Sequence, residues 1–281
     1  MTSLERLKEI SLSSESKIVM LVIDGLGGLP DPITGKTELE TAATPHLSYL
    51  AKNGICGLST PVSPGITPGS GAGHLSLFGY DPLEFDIGRG VLEALGVDFE
   101  LTKHDIAARG NFCTVDGKGI ITDRRAGRID TGKCTELCQI LSGIKLEGTE
   151  CFAWPVREHR FLFVLRGRGL SEKIGDTDPH KVGLAPIKSM AKEKAAAKTA
   201  ALVNKFVEQA AKLLANYHPA NMILLRGFSQ KPCIPSMNEV YKLSPAAIAV
   251  YPMYRGLARL VGMKIYKIDG GINEELAVLR E

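Results

Sequence analysis

The sequence predicts an α/β fold in which a mainly parallel sheet is covered by helices and carries a small α+β insertion. Three observations predict it: a continuous aliphatic run near the N terminus, a loop and a helix that follow it, and short alternating runs after residue 105. A chain of 281 residues is long enough for a sizeable core. We place this core in residues 1–110 and 186–281, and the inserted domain in residues 111–185.

Composition and charge indicate an ordinary globular protein. The chain is 44% hydrophobic and 23% charged, with a formal net charge of +3, so a nucleic acid partner is not expected. The apolar run 18–23 is too short to span a bilayer, and the mixed charges before it do not form a secretion signal. The six cysteines include no Cys-x-x-Cys pair, which favours reduced thiols. We therefore expect a cytoplasmic protein without a membrane anchor.

The first elements are read from apolar runs and their boundaries. The aliphatic run Lys17–Ile23 ends at Asp24-Gly25, as expected of a buried parallel strand. Thr44 followed by Pro45 predicts the start of a helix, and Asn53-Gly54 predicts its end. Residues 61–73 are rich in proline and glycine, which indicates a shaped loop with the next helix beyond it.

The insertion is predicted from a change in pattern after residue 105. Short alternating runs, one helical stretch and a hairpin-like pair of runs occupy residues 106–115, 119–123, 131–141, 151–156 and 159–165. The longest helical signal follows at residues 188–217 and carries an apolar stripe. We expect this helix to return the chain to the main sheet, which continues with strands near 222–225 and 263–266 and helical turns between 245 and 261.

Asp24 is a candidate metal ligand. It follows directly on the predicted strand, so its carboxylate would emerge at the edge where open α/β sheets bind ligands. An Asp-Gly turn explains the same dipeptide equally well when it is taken alone.

Ser70 is a candidate nucleophile and a second candidate metal ligand. It lies among glycines in Thr67–His74, before an apolar helix start, where a phosphate can approach the backbone and meet free N–H groups. A metal held partly by Asp24 would activate the serine hydroxyl. The stretch is neither a Walker loop nor a Gly-x-Ser-x-Gly elbow. A flexible glycine-rich loop is the alternative.

Arginines and one histidine suggest an anion site. Arg124, Arg125 and Arg128 are clustered in the chain, and guanidinium groups bind phosphate or carboxylate through paired hydrogen bonds. A solvated basic hairpin is the alternative for this cluster. His180 ends an Asp-x-Asp-Pro-His stretch, which suits a metal, a substrate or a structural turn.

Longer runs resemble the archaeal type of the cofactor-independent phosphoglycerate mutases, in the alkaline phosphatase superfamily. The runs that carry the resemblance follow one another in order along nearly the whole chain. They are 22–25 with Asp24, Thr67–Pro82 with Ser70, Ile87–Leu95, Ala108–Phe112, Asp123–Ile129, Asp176–His180 and Ala246–Ala258.

This resemblance implies an α/β/α sandwich of the alkaline phosphatase type whose α+β insertion caps the substrate. It implies that 3-phosphoglycerate and 2-phosphoglycerate are interconverted in glycolysis and gluconeogenesis through a phosphoserine, with two divalent metal ions. Manganese is the usual ion, with magnesium, cobalt or zinc as alternatives. Ser70 matches the phosphorylated serine and Asp24 a metal ligand; the candidate substrate-binding residues are Arg109, Arg124, Arg125, Arg128, Arg226 and His180.

The sequence also departs from the family pattern. Family members continue past the position of Glu281 with a further strand and with Asp and His residues that complete the metal sites. The resemblance therefore implies that this chain has incomplete metal sites, that it is weakly active or inactive alone, and that an exposed sheet edge favours homo-oligomers. Two alternatives stay open: a related phosphotransferase with another acceptor such as homoserine, and a non-catalytic binding remnant.

Overall fold

The computed structural model describes residues 3–85, 87–266, 268 and 270–279. Its helices are α1 (Ser3–Ile10), α2 (Glu38–Thr41), α3 (Pro45–Asn53), α4 (Ser70–Leu77), α5 (Arg89–Gly96), α6 (Thr131–Ser142), α7 (Ala197–Leu214), α8 (Met237–Tyr241), α9 (Pro252–Leu260) and α10 (Ile272–Val278). Its strands are β1 (Asp105–Val115), β2 (Ile121–Asp123), β3 (Glu150–Arg157), β4 (Arg160–Arg166), β5 (Met222–Ser229), β6 (Ala246–Ile248) and β7 (Lys264–Tyr266). None of the described helices is long and apolar enough to cross a membrane.

The largest sheet is antiparallel and is organised around β1. One edge of β1 pairs with β4, which in turn pairs with β3 in a hairpin. The other edge pairs with β5, and β2 joins near the C-terminal end of β1. In this register Arg109 of β1 is directly opposite Arg226 of β5. Opposed residues of neighbouring strands project to the same face, so the two arginines share one face of the sheet.

Helices cover both faces of this sheet. Alternate residues of β1, including Ile106 and Phe112, belong to a core with α6 and α7, in which the rings of Phe163 and Phe206 lie 4.4 Å apart. The intervening residue Ala107 packs instead with Val91 of α5 on the opposite face. This alternation is the period of two of a β-strand, and it places Arg109 on the side of α5.

The sheet unit confirms most of the local predictions. The predicted helix and hairpin of the insertion appear as α6 and as β3 with β4, and the predicted start and end of α3 are correct. Most of the predicted apolar stripe is buried in α7, but Leu213 is 45% exposed, and the helix begins at Ala197 rather than at residue 188. The structure differs in where this helix leads, because β5 pairs antiparallel with β1 and does not return the chain to a parallel sheet.

The predicted domain limits, 1–110 with 186–281 and 111–185, remain a prediction. The sheet includes β1 before residue 111 and β5 after residue 185, and α7 packs on it. We propose that the α+β unit comprises residues 105–229.

The prediction of a buried strand at Lys17–Ile23 is wrong for this structure. The run is neither helix nor strand, and Val19 and Met20 are 88% and 53% exposed. A buried parallel strand needs neighbours that satisfy its N–H and C=O groups. No described strand pairs with this run, and the parallel strands β6 and β7 pair with each other.

Candidate functional site

Helix α5 is held very close to the antiparallel sheet, and this closeness positions the site. A Cβ atom added to Gly90 would lie 2.3 Å from the carbonyl carbon of Ala107, so only glycine allows the backbones to approach this closely. A Cβ on Gly88 would similarly lie 2.3 Å from Cβ of Ser229 in β5. The first turn of α5 therefore rests on β1 and β5, which brings Glu93 to the face that carries the sheet's arginines.

Glu93 and Arg109 form a buried ion pair between α5 and β1. Nε and Nη2 of Arg109 each lie 2.7 Å from Oε1 of Glu93, and the two side chains are 11% and 3% exposed, in the order Arg109 and Glu93. The second carboxylate oxygen of Glu93, Oε2, is buried without a hydrogen-bond partner among the described residues. Burial raises the pKa of Glu93, and the positive charges of Arg109, Arg160 and Arg226 oppose that shift.

Asp178 contacts two of the predicted arginines. Arg124 donates to both of its carboxylate oxygens, at 3.1 and 2.6 Å, and Nη1 of Arg226 lies 3.7 Å from Oδ2. Burial acts to raise the pKa of Asp178, but the bonds from Arg124 and from the backbone N–H of His180 outweigh it and hold the pKa below its usual range. Asp178 is therefore a buried anion that fixes cations from β5 and from the segment after β2.

Arg226 is the least satisfied of these cations. Its Nε is buried and has no hydrogen-bond partner in the described part of the chain. Burial, together with the nearby charges of Arg109 and Arg89, lowers its pKa, and Asp178 only partly compensates. An anion at this position would supply the missing acceptor and relieve the repulsion between the guanidinium groups.

His180 lies beside the same cluster. Its Nε2 is 3.6 Å from Asp176 and its Nδ1 is 3.9 Å from Asp178, while its side chain is 56% exposed. Asp176 accepts from the backbone N–H of Gly227, which ties the segment to β5. The structure thus brings His180 together with Arg109, Arg124 and Arg226.

Arg125 and Arg128 lie apart from that cluster. They belong to a tight turn in which the carboxylate of Asp123 accepts from the backbone N–H groups of Arg125 and Gly127. The side chain of Arg128 is 60% exposed, and its Nη1 is 3.9 Å from Glu158. Their predicted contact with substrate remains a prediction, and the solvated basic turn remains its alternative.

Ser70 is the first residue of α4, so the helix begins at the serine and not beyond Gly73 as predicted. Nδ1 of His74 lies 2.7 Å from the carbonyl oxygen of Ser70, and the His74 ring stacks on Tyr254 at 4.6 Å. The hydroxyl of Tyr254 donates to Oδ2 of Asp24. The predicted nucleophile and the predicted metal ligand are thus connected through His74 and Tyr254.

The metal site proposed for Asp24 and Ser70 is not assembled by the described residues. Within those residues there is no group of three or more His, Cys, Asp or Glu side chains that is arranged to hold an ion. Asp24 and Ser70 supply one carboxylate and one hydroxyl, so a divalent ion held there would need further ligands. We therefore assign no chemical step to a metal.

Two contacts join the serine region to the arginine cluster. A Cβ on Gly71 would lie 3.1 Å from Cδ1 of Leu92, so the start of α4 packs beside the residue that precedes Glu93. Nη1 of Arg160 donates to the hydroxyl of Tyr251 at 3.0 Å, and the Tyr251 ring lies 5.1 Å from that of Tyr254. The start of α4 is therefore linked by packing to α5, and Tyr254 is linked through Tyr251 to β4.

Several residues of this site were not singled out from sequence. Arg89 and Glu93 lie within the run Ile87–Leu95, and Tyr251 and Tyr254 lie within Ala246–Ala258, so the family resemblance contained them without giving them a role. No sequence pattern pointed to Arg160, because its position in the site depends on the pairing between β1 and β4.

The chain is similar to known proteins over most of its length. The sequence model of the 2,3-bisphosphoglycerate-independent phosphoglycerate mutase family matches residues 51–221. A probable enzyme of this name from Thermus thermophilus is 48% identical over 280 residues, which cover 98% of this chain and 69% of the relative. One from Thermotoga maritima is 45% identical over 279 residues, covering 99% and 69%.

Solved structures give the same result. The cofactor-independent phosphoglycerate mutase of Thermoplasma acidophilum matches with a TM-score of 0.62 and 35% identity, covering 89% of this chain and 69% of that one. A protein of Pyrococcus horikoshii matches with a TM-score of 0.70 and 29% identity, covering 88% and 60%. These matches confirm the predicted α/β fold class and place the chain among the isomerases. It belongs to the 2,3-bisphosphoglycerate-independent phosphoglycerate mutase family.

Proposed function

We propose that this chain binds 3-phosphoglycerate and 2-phosphoglycerate and interconverts them through a phosphoserine at Ser70. The observation that carries this proposal is the cluster of Arg109, Arg124 and Arg226, whose positive charge exceeds that of its counter-ions Glu93 and Asp178. A phosphoglycerate carries a phosphate and a carboxylate close together, and both are groups that arginine binds well.

Ser70 is the proposed acceptor because of its position at the start of α4. The first N–H groups of a helix have no intrahelical acceptor and attract anions, and Gly71, next to Ser70, packs on Leu92, which precedes Glu93 in α5. In the proposed reaction the Ser70 oxygen bonds to phosphorus while the bond from phosphorus to O3 of glycerate breaks, and the serine proton passes to O3. Return of the phosphoryl group to O2 completes the isomerisation and releases the O2 proton to the serine.

Manganese dependence belongs to the same proposal, because the family resemblance implies two divalent ions. Asp24 and Ser70 are the ligands that we propose from the described residues. Since these are few, we expect substrate binding by this chain to be measured more readily than turnover, and robust turnover would contradict that expectation. A role in glycolysis and gluconeogenesis, a cytoplasmic location and association into homo-oligomers are further proposals that rest on the family.

The experiment is incubation of the chain with 3-phosphoglycerate and MnCl2, without bisphosphoglycerate. We expect only slow formation of 2-phosphoglycerate in a coupled assay, together with a phosphorylated peptide containing Ser70 by mass spectrometry, and both signals should be absent in Ser70→Ala. Ser76→Ala, on the same helix, is the matched control and should keep both signals. Phosphorylation by ATP and transfer to homoserine, with no change of 3-phosphoglycerate, would support the alternative acceptor instead.

A further inference from the structure

We propose that Glu93 is a positioning residue of the anion site, which holds the Arg109 guanidinium in place for the substrate. This inference rests on the proposed function, since it concerns the same site. It assigns a role to a carboxylate that would otherwise be hard to explain, because a negative charge beside an anion site works against binding.

The hydrogen-bonding geometry supports positioning. Both contacts from Arg109 reach one oxygen of Glu93, through Nε and Nη2. A guanidinium is planar and has five N–H donors, so fixing one edge also fixes the direction of the donors on the other. No acceptor for Nη1 of Arg109 is seen among the residues described, which leaves that end available to a substrate anion.

The backbone makes this arrangement rigid. Gly90 sets the distance between α5 and β1, and a closer or more distant helix would lose the packing of Val91 on Ala107. Arg109 lies opposite Arg226 in the strand register, so the direction of its guanidinium also determines the space between the two arginines. A change of one methylene in the length of the Glu93 side chain must therefore be absorbed by Arg109.

Two conservative variants separate positioning from charge. Glu93→Asp keeps the negative charge and shortens the side chain, whereas Glu93→Gln keeps the length and an acceptor oxygen and removes the charge. If Glu93 acts by position, Glu93→Asp weakens binding and Glu93→Gln weakens it less. If Glu93 acts only by charge, Glu93→Asp leaves binding unchanged and Glu93→Gln strengthens it.

A matched control lies on the same strand. Arg166 donates to both oxygens of the buried carboxylate of Asp105, at 2.9 and 2.7 Å, and Asp105 is the first residue of β1, four residues before Arg109. Asp105→Glu changes the side-chain length by one methylene, in the opposite direction to Glu93→Asp, and Asp105→Asn removes the charge, so both disturb a comparable buried carboxylate–arginine pair. We expect these controls to lower the melting temperature without changing the affinity for substrate.

The test is titration calorimetry of the full chain with 3-phosphoglycerate and with inorganic phosphate. We expect Glu93→Asp to raise Kd for 3-phosphoglycerate about tenfold. In an Arg109→Gln background the same change should have no further effect, because the residue that Glu93 positions is gone.

The outcomes are distinguishable. An unchanged Kd in Glu93→Asp, a lower Kd in Glu93→Gln, or a full effect that persists in Arg109→Gln would overturn the positioning role alone. A wild-type chain that binds neither ligand would overturn the proposed function and this inference together.

Discussion

At the scale of single residues, buried charges explain the site better than exposed ones. Arg226 is 19% exposed, lacks a partner for Nε among the described residues and faces the buried carboxylate of Asp178, whereas Arg128 is 60% exposed and meets Glu158 only at 3.9 Å. Exposed pairs contribute little because water screens them, but a buried cation without a full partner gains most from a bound anion.

This contrast predicts which arginine matters for binding. We expect Arg226→Gln to raise Kd for 3-phosphoglycerate at least about tenfold, because it removes a charged donor from a buried site. Arg128→Gln is the matched control and should stay within about twofold of wild type. Titration calorimetry measures both, and a larger effect at Arg128 would move the anion site to the turn at residues 123–128.

His159 gives the protein a pH-dependent stability. It is 3% exposed, and burial, assisted by the charge of Arg160, lowers its pKa to about 4. The unfolded chain, with an ordinary pKa of about 6.5, therefore binds more protons than the folded chain between these two values. The stabilisation from His159 is fully present above the ordinary pKa of about 6.5 and is lost as the pH falls towards the folded-state pKa of about 4.

We expect the free energy of unfolding to fall on the order of 2 kcal/mol between pH 7 and pH 5 because of this group. Urea titrations at both pH values measure it. Between pH 7 and pH 5, His159→Gln should lose less free energy of unfolding than wild type, by about 2 kcal/mol. His46→Gln, at an exposed histidine, should behave like wild type. Equal losses in all three proteins would show that His159 is not responsible.

At the scale of elements, helix α5 links the serine region to the sheet. It packs on β1 through Gly90, on β5 through Gly88, and beside α4 through Leu92 and Gly71. The close approach of Gly90 to the backbone of Ala107 leaves no room for a side chain where α5 crosses β1. Local helix propensity argues the other way, because alanine is favoured over glycine by about 1 kcal/mol in a helix.

Gly90→Ala tests whether overpacking or the gain in helix propensity has the larger effect on stability. We expect a loss of about 1–3 kcal/mol in the free energy of unfolding, because overpacking against the backbone of Ala107 exceeds the gain in propensity. Gly117→Ala is the control, since a Cβ there meets nothing within 4 Å, and it should change stability by less than about 0.5 kcal/mol. Urea denaturation measures both variants, and a more stable Gly90→Ala would contradict the close approach of α5.

At the scale of the whole molecule, the chain is unevenly packed. The sheet unit buries aromatic residues such as Phe112 and Phe163 completely, whereas residues 11–37 contain no described helix or strand and expose Val19 and Leu29. Backbone that lacks buried contacts opens at little cost and is available to proteases.

Limited proteolysis checks this difference. We expect trypsin to cut first after Lys17 or Lys36, which are both exposed, before any cut between residues 105 and 166. Mass spectrometry of the early fragments identifies the sites. Early cleavage inside β1 or β4 would contradict the packing described for the sheet, and protection of the N-terminal run would indicate that the exposed aliphatic side chains associate with another surface.

The sequence by itself determined what depends on neighbours along the chain. It was sufficient for the start and end of α3, the hairpin of β3 and β4, most of the buried stripe of α7 and the family, because periodicity, turn residues and long matching runs are local signals. It also indicated Arg109, Arg124 and Arg226 through the resemblance, but not their partners.

Only the tertiary structure decided which of these residues meet. The pairing of β5 with β1 sets Arg226 opposite Arg109, and the approach of α5 supplies Glu93 to Arg109. The same dependence explains the error at Lys17–Ile23, where an aliphatic pattern predicted a strand but no described neighbour pairs with it. A strand and a buried ion pair both require a partner from elsewhere in the chain, and a local pattern contains no information about that partner.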